Sequence, residues 1–149
     1  MNPTFLLGVG LALISGTLLA LQTPTNGMLA RGVESPVTAA FISFAVGMAA
    51  LGLAVLMMGL RPPPGALRAL PWYAWTGGLY GAVFVAAAAF AAPRIGLTFY
   101  LTLLIAGQVA TALILDHYGA FGLARQEVSL GRLAGVALVI AGVVLVRRS

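Results

Sequence analysis

Charged residues cut this chain into five long apolar runs. No charge falls between Met1 and Ala30, or between Ser35 and Leu60. Three further runs cover Ala69–Pro93, Ile95–Leu115 and Leu133–Val146. A helix needs about 20 mainly apolar residues to cross the hydrocarbon of a bilayer. The pattern therefore predicts an all-α membrane protein, a five-transmembrane-helix bundle forming a single domain over 1–149. The expected spans are 3–22, 36–60, 71–92, 95–115 and 129–146.

Local signals place the ends. Asn2-Pro3 and Ser35-Pro36 each offer a capping side chain followed by proline at the first helical position, and Leu70-Pro71 puts proline at the head of helix 3. Arg61-Pro62-Pro63-Pro64-Gly65 cannot continue a helix and predicts a stiff surface turn. Pro93-Arg94 is expected to break helix 3 from helix 4. Helix 5 is short on wholly apolar residues, so Val128 and Leu130 must help to fill it, and Arg132 reaches back to the interface. Trp72, Tyr73 and Trp75 crowd the start of helix 3, as aromatic residues do at a membrane surface.

Composition agrees. The chain has 149 residues, 61% of them hydrophobic and 7% charged, whereas a soluble domain carries about a quarter charged residues. The net charge of +5 would suggest nucleic acid in a soluble protein. Here the arginines stand singly or in pairs between apolar runs, so they read as interfacial anchors and no nucleic-acid partner is expected. The absence of cysteine excludes disulfides and thiol chemistry. Met1-Asn2-Pro3-Thr4 lacks the basic start of a secretory leader, so the first run is expected to be retained as a helix.

Charge balance bears on orientation. With five spans, Arg61, Arg68, Arg125 and Arg132 share one side, and Arg31, Arg94, Arg147 and Arg148 share the other. Arginine and lysine bias sets topology, and this even division gives no preference. Two readings stay open: a weak bias that these boundaries miss, and insertion in both orientations to give an antiparallel homodimer.

Candidate chemistry is sparse. At 100° per residue, Gly8, Ser15, Gln22 and Asn26 fall within about 40° on helix 1, and Pro24 frees a carbonyl beside them. The stripe reads either as small-residue packing or as a surface that faces solute. On helix 4, Gln108 lies mid-span with Thr98, Thr102 and Asp116 within about 120° of one face. Gln108 needs a partner in lipid, either another helix or a solute. Asp116 is the only carboxylate adjoining a span. It is either paired with Arg125 or Arg132 at the interface, or couples transport to protons. Tyr80, with Tyr73, Thr76 and Phe84, lines helix 3 beside glycines, which suits either packing or an apolar or cationic solute. Gly131, Gly135 and Gly142 form a close-packing seam on helix 5 for a neighbouring helix or a second copy. No P-loop, catalytic triad, nucleophile elbow or metal cluster is visible, so neither enzyme activity nor a cofactor is expected.

Several stretches carry a resemblance. Gln22-Thr-Pro-Thr-Asn26-Gly27-x-Leu29, Gly77-Gly78-Leu-x-Gly81, Gly107-Gln108, Asp116-His-Tyr-Gly119 and Gly135-Val-Ala-Leu-Val-Ile-Ala-Gly142-Val occur in this order. Together they resemble the YdcZ-like family of small bacterial inner-membrane proteins, which is similar to the wider drug/metabolite transporter superfamily. The last stretch also looks like the terminal helix of small multidrug resistance proteins. The resemblance implies a five-helix unit used as antiparallel homodimers, opposed pairs or fused ten-helix chains. Helices 1 to 4 would line a central cavity, with helix 5 at the periphery. It further implies a multi-pass protein of the inner (cytoplasmic) membrane that moves a small-molecule solute. Helix 1 lacks the glutamate of small multidrug resistance proteins, so their proton exchange does not carry over. A transporter working by alternating access is the leading expectation. A dual-topology pore and a non-transporting membrane subunit are the alternatives.

Overall fold

A computed structural model describes residues 2–148. Its five long helices are α1 (Pro3–Gly32), α2 (Pro36–Met57), α3 (Gly77–Ile95, continuing a 3₁₀ turn over Trp72–Thr76), α4 (Leu97–Tyr118) and α5 (Leu130–Arg148). All five are long and apolar enough to cross a membrane. The chain is thus an all-α protein with five membrane-spanning helices. It divides into two compact units, one ending at Pro93 and the other starting at Arg94.

In the first unit, Asn2 caps α1 by accepting a hydrogen bond from the Thr4 N–H at 2.9 Å. The helix then runs past the expected end at Gln22 and past Pro24 to Gly32. Proline removes one N–H, but the hydroxyls of Thr23 and Thr25 bond the carbonyls of Leu19, Leu21 and Gln22 at 2.9–3.2 Å on either side. At 1.5 Å per residue α1 is about 45 Å long, well over the roughly 30 Å hydrocarbon thickness. Ser35 caps α2 through the Thr38 N–H at 3.2 Å. Gly59, at φ +62°, ends α2 before the expected limit at 60, because the left-handed conformation turns the chain out of the helix. A single helical turn over Ala66–Ala69 occupies the connection to α3.

Small residues make the core of this unit. Thr23, Asn26, Gly27 and Ala30 of α1 are buried at successive helical turns. Ala39 and Ala40 of α2 and Val85, Ala88, Ala89 and Ala92 of α3 are buried as well. Ala30, Ala39 and Ala89 meet in one cluster flanked by Leu29 and Val33. Side chains this small let helices approach closely, and packing of this kind drives association in lipid. α3 itself continues through Pro93, where a break was expected, and stops at Ile95. The break falls at Gly96, at φ +87°.

In the second unit, α4 ends on Gly119, at φ +62°, whose N–H bonds the Asp116 carbonyl at 3.2 Å. A 3₁₀ turn over Ala120–Gly122 follows. The Ser129 hydroxyl then accepts from the Arg132 N–H at 3.3 Å and caps the start of α5. Neither α4 nor α5 contains a buried residue.

The α1–α3 approach gives a test. A Cβ at Gly27 would lie 3.4 Å from Pro93 Cγ, ordinary van der Waals contact. Gly27→Ala should therefore be tolerated. Gly27→Leu has no room along that direction and should cost about 1–3 kcal/mol. Thermal melts of both variants in detergent check this, and an unchanged melt for Gly27→Leu would mean the contact does not constrain the fold.

Candidate functional site

The polar residues inside the spans separate by what satisfies them. Thr17, Thr23, Thr25 and Thr102 donate their hydroxyls to carbonyls of their own helix at 2.7–3.2 Å. Such back-bonding removes the cost of a hydroxyl in lipid. A glutamine is not satisfied this way. Among the described residues, the side chains of Gln22 and Gln108 have no hydrogen-bond partner within the protein. Each faces a concavity.

The helix-1 stripe is divided by the structure. Asn26 is buried, at 5% exposure, in the small-residue core. Gln22 instead lines a groove of about 520 Å³ formed with α2 residues Ser43, Phe44, Gly47, Met48 and Gly52. Gly8 and Ser15 are exposed and line neither concavity. The α2 residues carried no expectation from sequence. Their signal was a small-residue spacing, Ser43-x-x-x-Gly47-x-x-x-x-Gly52, inside an otherwise apolar run. Gly81 of α3 supports the groove from behind. A Cβ there would lie 3.0 Å from Phe44 Cζ, so a side chain at 81 would push the ring by a few tenths of an ångström. Tyr80 is 65% exposed and lies outside this groove.

On α4, Gln108 lies in a shallow, open concavity on the surface of that one helix, with Leu104, Gly107, Thr111 and Leu115. Thr102 does not line it. Asp116, at the end of this helix, forms an ion pair with Arg132 of α5, Nη1 to Oδ2 at 3.4 Å. Arg132 also donates to Gln126 Oε1, and the Gln126 N–H bonds the Asp116 carbonyl at 2.8 Å. One arginine thus ties the end of α4 to the start of α5. Next to it, His117 packs edge-on against Tyr118, ring centroids 5.0 Å apart, with its Nδ1 buried and unpartnered. Cβ atoms at Gly135 and Gly142 would meet nothing within 4 Å, and one at Gly131 only Ser129 Oγ. The α5 seam is open in the single chain.

Five long apolar helices define a multi-pass membrane protein. The family model described as "Putative inner membrane exporter, YdcZ" matches residues 7–145. The chain therefore belongs to the YdcZ family, and it is a multi-pass inner-membrane protein. Membership is consistent with the drug/metabolite transporter superfamily, and it points to a transporter rather than an enzyme. Comparison with curated proteins and with solved structures gives no match.

The Asp116–Arg132 pair predicts a small coupling. About a third of each side chain is exposed, which screens the attraction. A double-mutant cycle of Asp116→Asn and Arg132→Gln should give a coupling energy of about 0.2–1 kcal/mol. A value near zero in thermal or denaturant unfolding would show that the pair does not hold the two helices together.

Proposed function

We propose that two copies of this chain, inserted in opposite orientations, export a small solute by alternating access. The observation that carries this reading is the arginine balance. Five spans put the connection after α2 and the connection into α5 on one side, with Arg61, Arg68, Arg125 and Arg132. The other side takes Arg31, Arg94, Arg147 and Arg148 at helix ends. No orientation is preferred by charge, and family membership supports export as the activity. Inverted copies give the two-fold relation on which alternating access depends, with a solute site near the midplane. Gln22 and Gln108 are the side chains we assign to solute contact, and the open seam at Gly131, Gly135 and Gly142 is assigned to packing against another chain.

Topology is the first test. Tags on the carboxyl terminus should be reached from both membrane faces in one population. Labelling from a single face would overturn the inverted dimer. A cluster of lysines added between Arg61 and Arg68 should lock one orientation and abolish transport by the homodimer.

Coupling is the second. We assign it to Asp116, the one carboxylate on a membrane-spanning helix; Glu34 and Glu127 lie in connections. In proteoliposomes under an imposed pH gradient, Asp116→Asn should stop solute accumulation and leave downhill flux intact. Unchanged accumulation removes Asp116 from the mechanism.

A further inference from the structure

We propose that the groove between α1 and α2 binds an uncharged, largely apolar solute that carries one hydrogen-bonding group. This rests on the transport reading above and names the substrate class for it.

Depth comes first. Ser43 is the seventh residue beyond Pro36, about 10 Å along α2 at 1.5 Å per residue, so the groove opens inside the hydrocarbon. At that depth the amide of Gln22 and the hydroxyl of Ser43 are costly unless paired. Neither has a partner within the protein among the described residues, and both face the groove. Thr17, Thr23, Thr25 and Thr102 commit their hydroxyls to their own helix; Ser43 does not, and of the uncommitted hydroxyls it is the one that lies in the groove beside Gln22.

Shape follows from missing side chains. Cβ atoms built at Gly47 and Gly52 would meet nothing within 4 Å, so these two glycines make the hollow. The Phe44 ring lies along the groove with its tip close against Gly81 of α3. The resulting volume, about 520 Å³, falls within the roughly 300–1,000 Å³ typical of small-molecule sites.

Charge decides the class of solute. No arginine, aspartate or glutamate lines the groove. An ion entering it would lose its water without meeting a counter-charge. A lipid acyl chain would fill the space but leave the amide and the hydroxyl unpaired. An uncharged molecule with one carbonyl, amide or hydroxyl group satisfies both, its polar group on Gln22 and Ser43 and its apolar body against Phe44 and Met48.

Benzophenone is a suitable probe, being uncharged and apolar with a single carbonyl acceptor. On irradiation its excited ketone takes a hydrogen atom from a nearby C–H bond. The two radicals then join, forming a C–C bond and converting the ketone to a tertiary alcohol. The purified chain in lipid nanodiscs is irradiated with increasing benzophenone, or with an analogue bearing a trimethylammonium group, and modified residues are located by mass spectrometry. Met48, 72% exposed, should show a saturable component above a linear background with the uncharged probe alone. Met57 and Met58, exposed on the same stretch outside the groove, should label in proportion to concentration. Gly47→Leu fills the hollow without a clash and should abolish the saturable fraction with no loss of thermal stability. Gln22→Leu should raise the half-saturating concentration about tenfold through loss of one or two hydrogen bonds. Met48 labelling without a saturable component, or a saturable component that survives Gly47→Leu, overturns the site. Saturation by the cationic analogue overturns the substrate class. Saturable labelling that appears only when the protein is diluted to one copy per disc means that a second copy fills the groove, and it too overturns the site. Labelling requires no transport, so a protein that labels saturably but shows no flux keeps the site and loses the transport reading. Flux without saturable labelling does the reverse.

Discussion

Hydrocarbon offers no partner to a peptide group, and the rest of this structure depends on that constraint. Every long segment is helical because each backbone donor then finds its acceptor within the segment itself. The two prolines inside helices show how tightly the constraint is held. Pro24 deprives the Ala20 carbonyl of its usual donor, and threonine hydroxyls on either side bond neighbouring carbonyls of the same helix. Pro93 does the same to Ala89, which is buried at the small-residue cluster and shielded from lipid. Irregular backbone is confined to the connections, where left-handed glycines at 59, 96 and 119 stop three of the helices.

With backbone bonding internal to each helix, association must come from side-chain packing. The first unit achieves it with alanine, glycine and threonine at the α1, α2 and α3 contacts. Larger residues there would hold the helices apart and forfeit the dispersion contacts that replace the hydrophobic effect in lipid. The second unit adds a polar tie to its packing. Its two helices lie against each other without fully burying any residue, and a charged and hydrogen-bonded tie through Arg132 adds to that packing at one end. The glycine seam of α5 and the Gln108 face of α4 are left with surface for lipid, solute or another copy.

The five spans were legible in sequence because charge is the feature that hydrocarbon rejects most strongly, and its absence marks each run. Their ends were less legible. Pro24 and Pro93 suggested breaks, yet a helix can lose one N–H and continue, while glycines at 59 and 96 ended helices for a conformational reason that hydropathy does not record. Asp116 could have met Arg125 or Arg132. The turn at Gly119 and the Gln126 bond to the Asp116 carbonyl bring Arg132 into reach, a choice that depends on chain path rather than residue type. Helix 2 looked like a plain apolar span. Ser43 and Gly47 gain meaning only once α1 lays Gln22 beside them.

Hydroxyls and amides therefore carry different information in a membrane span. Threonine reaches the carbonyl four residues back, so its presence in an apolar run is compatible with bare lipid, as Thr17 and Thr102 illustrate. Glutamine has two donors and a carbonyl on a longer stem, and its own helix offers no set of groups that satisfies all of them. An unpartnered glutamine is a standing energetic cost, and that cost is relieved when something arrives. Pairing with another helix would relieve it permanently and fix the structure. Pairing with a solute relieves it only while the solute is bound. A transporter needs the second arrangement, because a site that is fully satisfied when empty gains little by filling. In the single chain the amides of Gln22 and Gln108 are unpartnered, which is what the proposed solute contact requires. Thr102 already donates its hydroxyl to the Thr98 carbonyl, which leaves only its oxygen to accept from a solute.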